Sequence, residues 1–224
     1  ALLGTLRTDL VAAFVAQARA GETAFQRPWA GLSGQPVDAD MAGPLGLDRP
    51  GGIIVSGLHP ASPFNGAGLM VGDVIVSVDD QPVNTPAEMI YRMAGLGHSA
   101  RVGVMREGRL QEMNVALIAA PDVPDRAEVT LGAGSLLPGL KAARINPAVI
   151  AEMNLPLESA GVVVLDAGRF GPRVGLSDGD VILSVNGVAV EDTAALVALL
   201  SGQVRRIQMV IQRGDRRMAL RFRG

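Results

Sequence analysis

Apolar positions along this chain fall into short runs rather than long ones. Gly52 to Leu58 and Val74 to Val78 are β-branched stretches bounded by Gly, Pro and Asp, the pattern of buried strands that pair within one sheet. Arg101 to Arg106 and Arg109 to Leu117 flank Glu107-Gly108, and Ile207 to Arg213 and Arg216 to Arg223 flank Gly214-Asp215, which predicts two hairpins. In the last of these strands Met218, Leu220 and Phe222 alternate with Arg217, Arg221 and Arg223, so one face is buried and the other wet. Asn186-Gly187 between Val185 and Val188 predicts a further tight turn, because both central positions of a type I′ turn need positive φ. Helical spacing is rarer. Thr85-Pro86-Ala87-Glu88 forms a capping box with proline at the first helical position and predicts a helix from Pro86 towards Leu96. Asp192-Thr193 precedes Ala194 to Leu200, where Leu196, Val197 and Leu200 share one face. Near the start, Thr8 or Asp9 can cap a helix over Leu10 to Ala20 in which Leu10 and Phe14, and Val11 and Val15, stack at i, i+4.

The pattern repeats. Gly68-Leu69-Met70-Val71-Gly72-Asp73-Val74-Ile75-Val76-Ser77-Val78-Asp79 returns 107 residues later as Gly175-Leu176-Ser177-Asp178-Gly179-Asp180-Val181-Ile182-Leu183-Ser184-Val185-Asn186. Gly52 to Val55 answers to Gly161 to Val164, Val83 to Val190, and Gly31-Leu32 to Gly139-Leu140. Two domain-sized copies follow, over 27–119 and 129–224. Residues 120–128, with Pro121, Pro124 and the charges of Asp122, Asp125 and Arg126 close together, read as an extended linker, and 1–26 read as a helix belonging to neither copy. The predicted fold class is α+β and mainly β: two partly open β-barrel or sandwich domains, each with a capping helix, preceded by one N-terminal helix.

Composition narrows the chemistry. The chain has 224 residues with net charge −2, no Cys, one Trp, one Tyr and five Phe. That balance supplies neither a phosphate-binding field nor stacking platforms, so nucleic acid is not an expected partner. No run of about 18 apolar residues offers an integral membrane span. Absence of Cys removes disulfides, thiolate zinc sites and cysteine nucleophiles together. The chain begins at Ala1 with no basic-then-apolar segment, which reads as a removed leader or a fragment.

The residues reached so far resemble PDZ domains, and specifically the tandem pair of the Do-like (HtrA) serine proteases of bacterial envelopes. The resemblance is carried by His59-Pro60-Ala61-Ser62-Pro63, Ala67-Gly68-Leu69 and Gly72-Asp73-Val74-Ile75, again by Gly175 to Ile182, and by Arg27-Pro28-Trp29-Ala30-Gly31-Leu32. That last run is similar to the family's first carboxylate-binding loop, and Leu10 to Ala20 resembles the last helix of the protease domain. The resemblance implies a peptide-binding and regulatory region of a trypsin-like serine endopeptidase in periplasmic protein quality control. Implied partners are unfolded or exposed C-terminal peptides and an upstream protease domain, within a homo-oligomer. No cofactor is implied. A PDZ module adds a peptide strand to a sheet edge and seats its terminal carboxylate in a nest of backbone N–H groups. The donors would be the amides of Ala30, Gly31 and Leu32, with Arg27 adding charge. The last side chain would enter a pocket lined by Leu32, Met89, Ile90 and Met93.

Trp29 is open between stacking on a peptide and packing against an upstream domain. The second copy's loop is Leu137-Pro138-Gly139-Leu140, and proline has no N–H, so a weaker site is expected there, bordered by Leu196, Val197 and Leu200. Lys141 could compensate, but the expectation is that the first copy binds peptide and the second serves docking or assembly.

Catalytic and metal constellations do not assemble on paper. His59 and His98 read as loop residues without a serine motif to serve, no metal-ligand spacing is present, and a Ser–Lys pair would have to use Lys141, the only lysine. Asp73 and Asp180 read as turn caps beside their glycines rather than as paired acids. The Arg-rich C-terminal hairpin, including Arg205 and Arg206, reads as a solvated face. A competing function is a non-enzymatic tandem-PDZ scaffold.

Overall fold

The computed structural model describes residues 28–94, 96–201 and 206–223. The helix expected near the start, Arg27 and Arg205 lie outside the described residues. The chain divides into two compact units, Ala1–Ala120 and Pro121–Gly224.

In the first unit, β1 (Leu32–Pro36), β2 (Ile53–Leu58), β3 (Val74–Val78), β5 (Ser99–Arg106) and β6 (Arg109–Ala116) form an antiparallel sheet in that order, with β4 (Gln81–Pro82) paired to β3. Among the described residues three helices accompany it: α1 (Ala39–Ala42), α2 (Pro63–Gly66) and α3 (Pro86–Ala94). The second unit has β13 (Arg216–Phe222), β12 (Ile207–Arg213), β10 (Val181–Val185), β9 (Val162–Asp166), β8 (Lys141–Arg144) and β7 (Val129–Thr130) in order, with β11 (Val188–Ala189) on β10. Its helices are α4 (Pro147–Met153) and α5 (Thr193–Leu200), with a 3₁₀ turn over Gly171–Val174. Neither strand order returns on itself, so both sheets are open. The class is mainly-β α+β, as the run lengths predicted.

Alternation of strand side chains puts one sheet face onto a helix. Met89 and Met93 of α3 pack with Phe64, Ile53, Ile75, Val102 and Val104. Leu196 and Leu200 of α5 pack with Leu140, Val162, Ile182, Met209 and Ile211. The other face of the second sheet takes α4, through Val149 and Ile150 against Ala143, Val163 and Val181. No helix was expected at α4 or its counterpart α1. The signal was local: Asn146 accepts the Val149 N–H at 3.0 Å with Pro147 at the first helical position, and Asp38 caps α1 likewise. Thr85 accepts the Glu88 N–H at 3.1 Å as a capping residue, while Glu88 reaches back one residue further than a capping box requires, to the Asn84 N–H at 2.9 Å.

The repeat extends to single hydrogen bonds. A bulge interrupts β1–β2 at Ser33/Gly34 and β8–β9 at Lys141/Ala142, and another interrupts β3–β5 and β10–β12 two residues into each pairing. Asp79 and Asn186 both take positive φ, and each side chain accepts a backbone N–H from the neighbouring strand, Arg101 or Gln208. Asp73 and Asp180 are turn acceptors: Asp73 takes the Met70 N–H at 2.7 Å and Asp180 the Ser177 N–H at 2.8 Å. Each is also gripped by an arginine at the far end of the following hairpin strand. Arg106 meets Asp73 at 2.7 and 2.6 Å and donates to the Gly68 carbonyl at 2.7 Å; Arg213 meets Asp180 at 2.6 and 2.7 Å and donates to the Gly175 carbonyl at 2.8 Å. Two parallel N–H···O bonds to a buried carboxylate fix the turn to the sheet. Burial pushes the Asp73 carboxyl up, but the Arg106 guanidinium and the Met70 amide together hold it below its ordinary value.

Losing one partner of such a pair leaves a buried charge, so Arg106→Met is expected to destabilise the first unit by about 3 kcal/mol, the lower end for buried pairs because the arginine is partly exposed. The single Trp lies in this unit, so a urea titration followed by Trp29 fluorescence reads it; a loss under about 1 kcal/mol would place the pair among ordinary surface bridges. Because the folded Asp73 value is depressed, the stabilisation is present above the unfolded carboxylate range and is lost as pH falls through and below about 4.

Candidate functional site

The loop Trp29 to Leu32 is set by the turn at residues 59–62. Ser62 Oγ donates to the Ala30 carbonyl at 2.6 Å and accepts the Phe64 N–H at 3.1 Å, capping α2. The His59 N–H donates to the Gly31 carbonyl at 2.8 Å. In a planar trans peptide the N–H points opposite to the C=O. With the carbonyls of Ala30 and Gly31 both turned into the 59–62 turn, the N–H groups of Gly31 and Leu32 both face the other way. That is a small nest with two of the three expected donors oriented. Among the described residues no acceptor is recorded for the Ala30 or Gly31 amide.

Gly31 has φ +58, and a Cβ there would lie 2.8 Å from the Trp29 ring and 2.9 Å from Ser62 Cβ. Trp29 therefore covers the back of the loop. Its ring meets His59 edge-on at 5.4 Å, and the Trp29 backbone N–H donates to the Ile118 carbonyl at 2.9 Å. Its described contacts are within this unit. Burial holds the His59 imidazole below its ordinary value, and its Nδ1 accepts the Ala61 N–H at 3.0 Å. In the sequence Ser62 stands only within a motif and His59 reads as a loop residue; Ser-Pro at the start of α2 is the signal for the cap, whereas the reach back to Ala30 and Gly31 is not visible there.

From this loop β1 runs outward. It is paired along one side to β2, with Leu32 opposite Leu58, and α3 packs beside it. Leu32, Met89, Ile90 and Met93 belong to one apolar cluster, but in two layers. Met89 and Met93 are fully buried core residues, while Leu32 and Ile90 keep partial exposure between β1 and α3. Helical periodicity could place all three α3 residues on one face, not separate floor from wall.

The second unit shows the same parts in a different state. Leu137, Leu140, Leu196 and Leu200 are buried together, with Val197 at their edge, and Gly139 has φ +82. The Gly139 N–H, however, donates to the Leu131 carbonyl at 2.8 Å, and β8 carries strands on both sides. Residues 121–127, expected as an extended linker, are bonded to this unit: Asn146 donates to Asp122 at 2.5 Å and to the Pro124 carbonyl at 2.7 Å, and Arg126 forks onto Glu152 at 2.8 Å through each terminal nitrogen. Among the described residues no cluster of three or more His, Cys, Asp or Glu could hold a metal ion.

Gly31→Ala is expected to push the Trp29 ring aside and shift its emission, whereas Gly139→Ala, which meets open space, pays only about 1–2 kcal/mol for its φ and leaves that emission unchanged. An unmoved emission maximum in Gly31→Ala contradicts the packing described. The depressed His59 value gives full stability above the unfolded histidine range and a decline as pH drops below about 6.5; His59→Asn should flatten that decline in Trp29-monitored unfolding at pH 5 to 8.

Residues 31–117 match the PDZ domain family model. The chain is 32% identical over 207 residues to a probable periplasmic serine endoprotease DegP-like of Ectopseudomonas mendocina (strain ymp), spanning 88% of this chain and 43% of that protein. A protein of the same description from Pseudomonas putida (strain GB-1) is 35% identical over 170 residues, 73% of this chain and 35% of that protein. The chain thus spans less than half the length of these relatives. A solved structure of the HtrA-type protease AlgW with a decapeptide is similar at 25% identity and a TM-score of 0.40, over 52% of this chain and 36% of that one. With the duplicated fold and glycine loops beside these sequences, the chain is a PDZ-domain region of the Do-like (HtrA) serine protease family.

Proposed function

We propose that the first unit captures the apolar C-terminus of unfolded or exposed polypeptides by adding it as a strand to β1, and that this occupancy regulates a serine protease domain of the parent protein. The observation that carries the reading is the outward-facing pair of N–H groups at Gly31 and Leu32, placed at the start of a strand that has a described ladder partner on one side only. A terminal carboxylate accepts from that nest, and the following residues pair with β1. The last side chain lies over Leu32 and Ile90, with flexible Met89 and Met93 beneath it, which favours tolerance among apolar residues. Arg27, outside the described residues, is a candidate for added positive charge only by the family resemblance.

Membership of the family supports a wider reading. The parent acts as a periplasmic, homo-oligomeric endopeptidase in envelope protein quality control, and this region supplies recognition rather than chemistry. No helix among the described residues is long and apolar enough to cross a membrane.

Calorimetric titration with one short peptide ending in Val or Leu, as free acid and as amide, tests the site. A charge-assisted bond to the nest is worth about 1.5–3 kcal/mol, so the acid should bind at least tenfold more tightly than the amide. Equal affinity, or no binding of either, overturns the reading.

A further inference from the structure

The second groove is already filled. Leu131 donates its N–H to the Leu140 carbonyl at 2.8 Å and accepts the Gly139 N–H on its own carbonyl at 2.8 Å. Val129 lies opposite Ala142 and Thr130 opposite Lys141, antiparallel to β8. Further back, the Arg126 carbonyl accepts from the Arg144 N–H at 2.7 Å, and the Ala127 carbonyl from Thr193 Oγ1 at the start of α5 at 2.8 Å. Leu131 is 3% exposed and sits among Leu137, Leu140, Leu196 and Leu200, with Val129 packed at the rim. Residues 126–131 thus lie between β8 and α5, in register with the loop, where an added strand would lie on β1 in the first unit. Leu131 takes the place of a terminal residue, and its carbonyl takes the place of one carboxylate oxygen.

We infer that the second unit is a peptide-binding groove occupied by the chain's own residues Arg126–Leu131, and that it takes in their place an extended segment with apolar residues two apart. The loop chemistry fits an internal ligand better than a free end. Pro138 has no N–H, so the nest lacks one donor for a carboxylate, whereas a mid-chain carbonyl needs only the one that Gly139 gives. The arginine fork from Arg126 to Asp122 and Glu152 and the Asn146 bonds anchor the segment upstream of the groove. Only the short loop 132–139 joins the segment to the strand beyond. Such a tether gives an effective concentration of about millimolar, which weakens an outside peptide of about 10–100 μM intrinsic affinity by roughly tenfold to a hundredfold.

Amide exchange on the full chain, resolved residue by residue, tests this with a synthetic peptide copying residues 124–131. In Leu131→Ser the amides of Gly139 and Arg144 should exchange at least tenfold faster than in the parent chain. They should regain protection on adding the peptide, which binds the variant at least tenfold more tightly. Unchanged exchange at Gly139 and Arg144, or equal peptide affinity for both chains, overturns the inference. Leu131→Ala carries the same test with a smaller loss of packing. Loss of protection at Met209 and Ile211 in both variants would show the segment to be core rather than ligand, which also overturns it. Peptide binding at the first unit registers separately at Leu32 and Gly34 and does not enter the comparison.

Discussion

The outer side of the strand that follows each glycine loop carries N–H and C=O groups that need partners. Water or another backbone must supply them, because an unmade backbone bond in a partly buried groove costs about as much as a bond contributes. The fold cannot remove this demand. Bulges lie at equivalent places in β1 and β8, whose inner sides pair with β2 and β9, and a helix packs beside each strand. In the second unit the chain meets the demand with its own residues 126–131. In the first, no described strand pairs with the outer side of β1.

Keeping that geometry rigid falls to polar groups that point away from the groove. Ser62 and His59 turn the carbonyls of the first loop backwards, and Asp73 with Arg106 ties the turn after α2 to the end of β5. Asp180 and Arg213 do the same in the second unit. These carboxylates are bonded as turn acceptors. Each carboxylate accepts two guanidinium bonds and a turn amide, which is why an acid can be buried beside a glycine at all.

The two units diverge through what surrounds the shared parts. Leu137 and Leu140 seat a residue of the same chain, whereas Leu32 and Ile90 keep partial exposure. A groove that binds itself can still serve assembly, since a partner segment with the same spacing of apolar residues competes for the same hydrogen bonds. Its affinity is then set by the tether as much as by the contacts.

Much of this was legible from residue order. The 107-residue repeat, the type I′ turn at Asn186-Gly187, the helix from Pro86, the Arg-faced last strand and the glycine loops are short-range signals, each fixed by φ, capping or period. The caps at Asp38 and Asn146 were equally local but lacked a long apolar run to draw attention to them. What only the tertiary structure decided depends on partners far apart in sequence. Arg106 finds Asp73 across 33 residues, Ser62 finds Ala30 across 32, and Thr193 finds Ala127 across 66. Residues 120–128 looked like a linker because prolines and charges resist regular structure, yet residues 121–127 are bonded to the second unit, next to a strand edge and an apolar pocket within reach. A sequence determines which groups need partners, and the folded chain determines which partners are near.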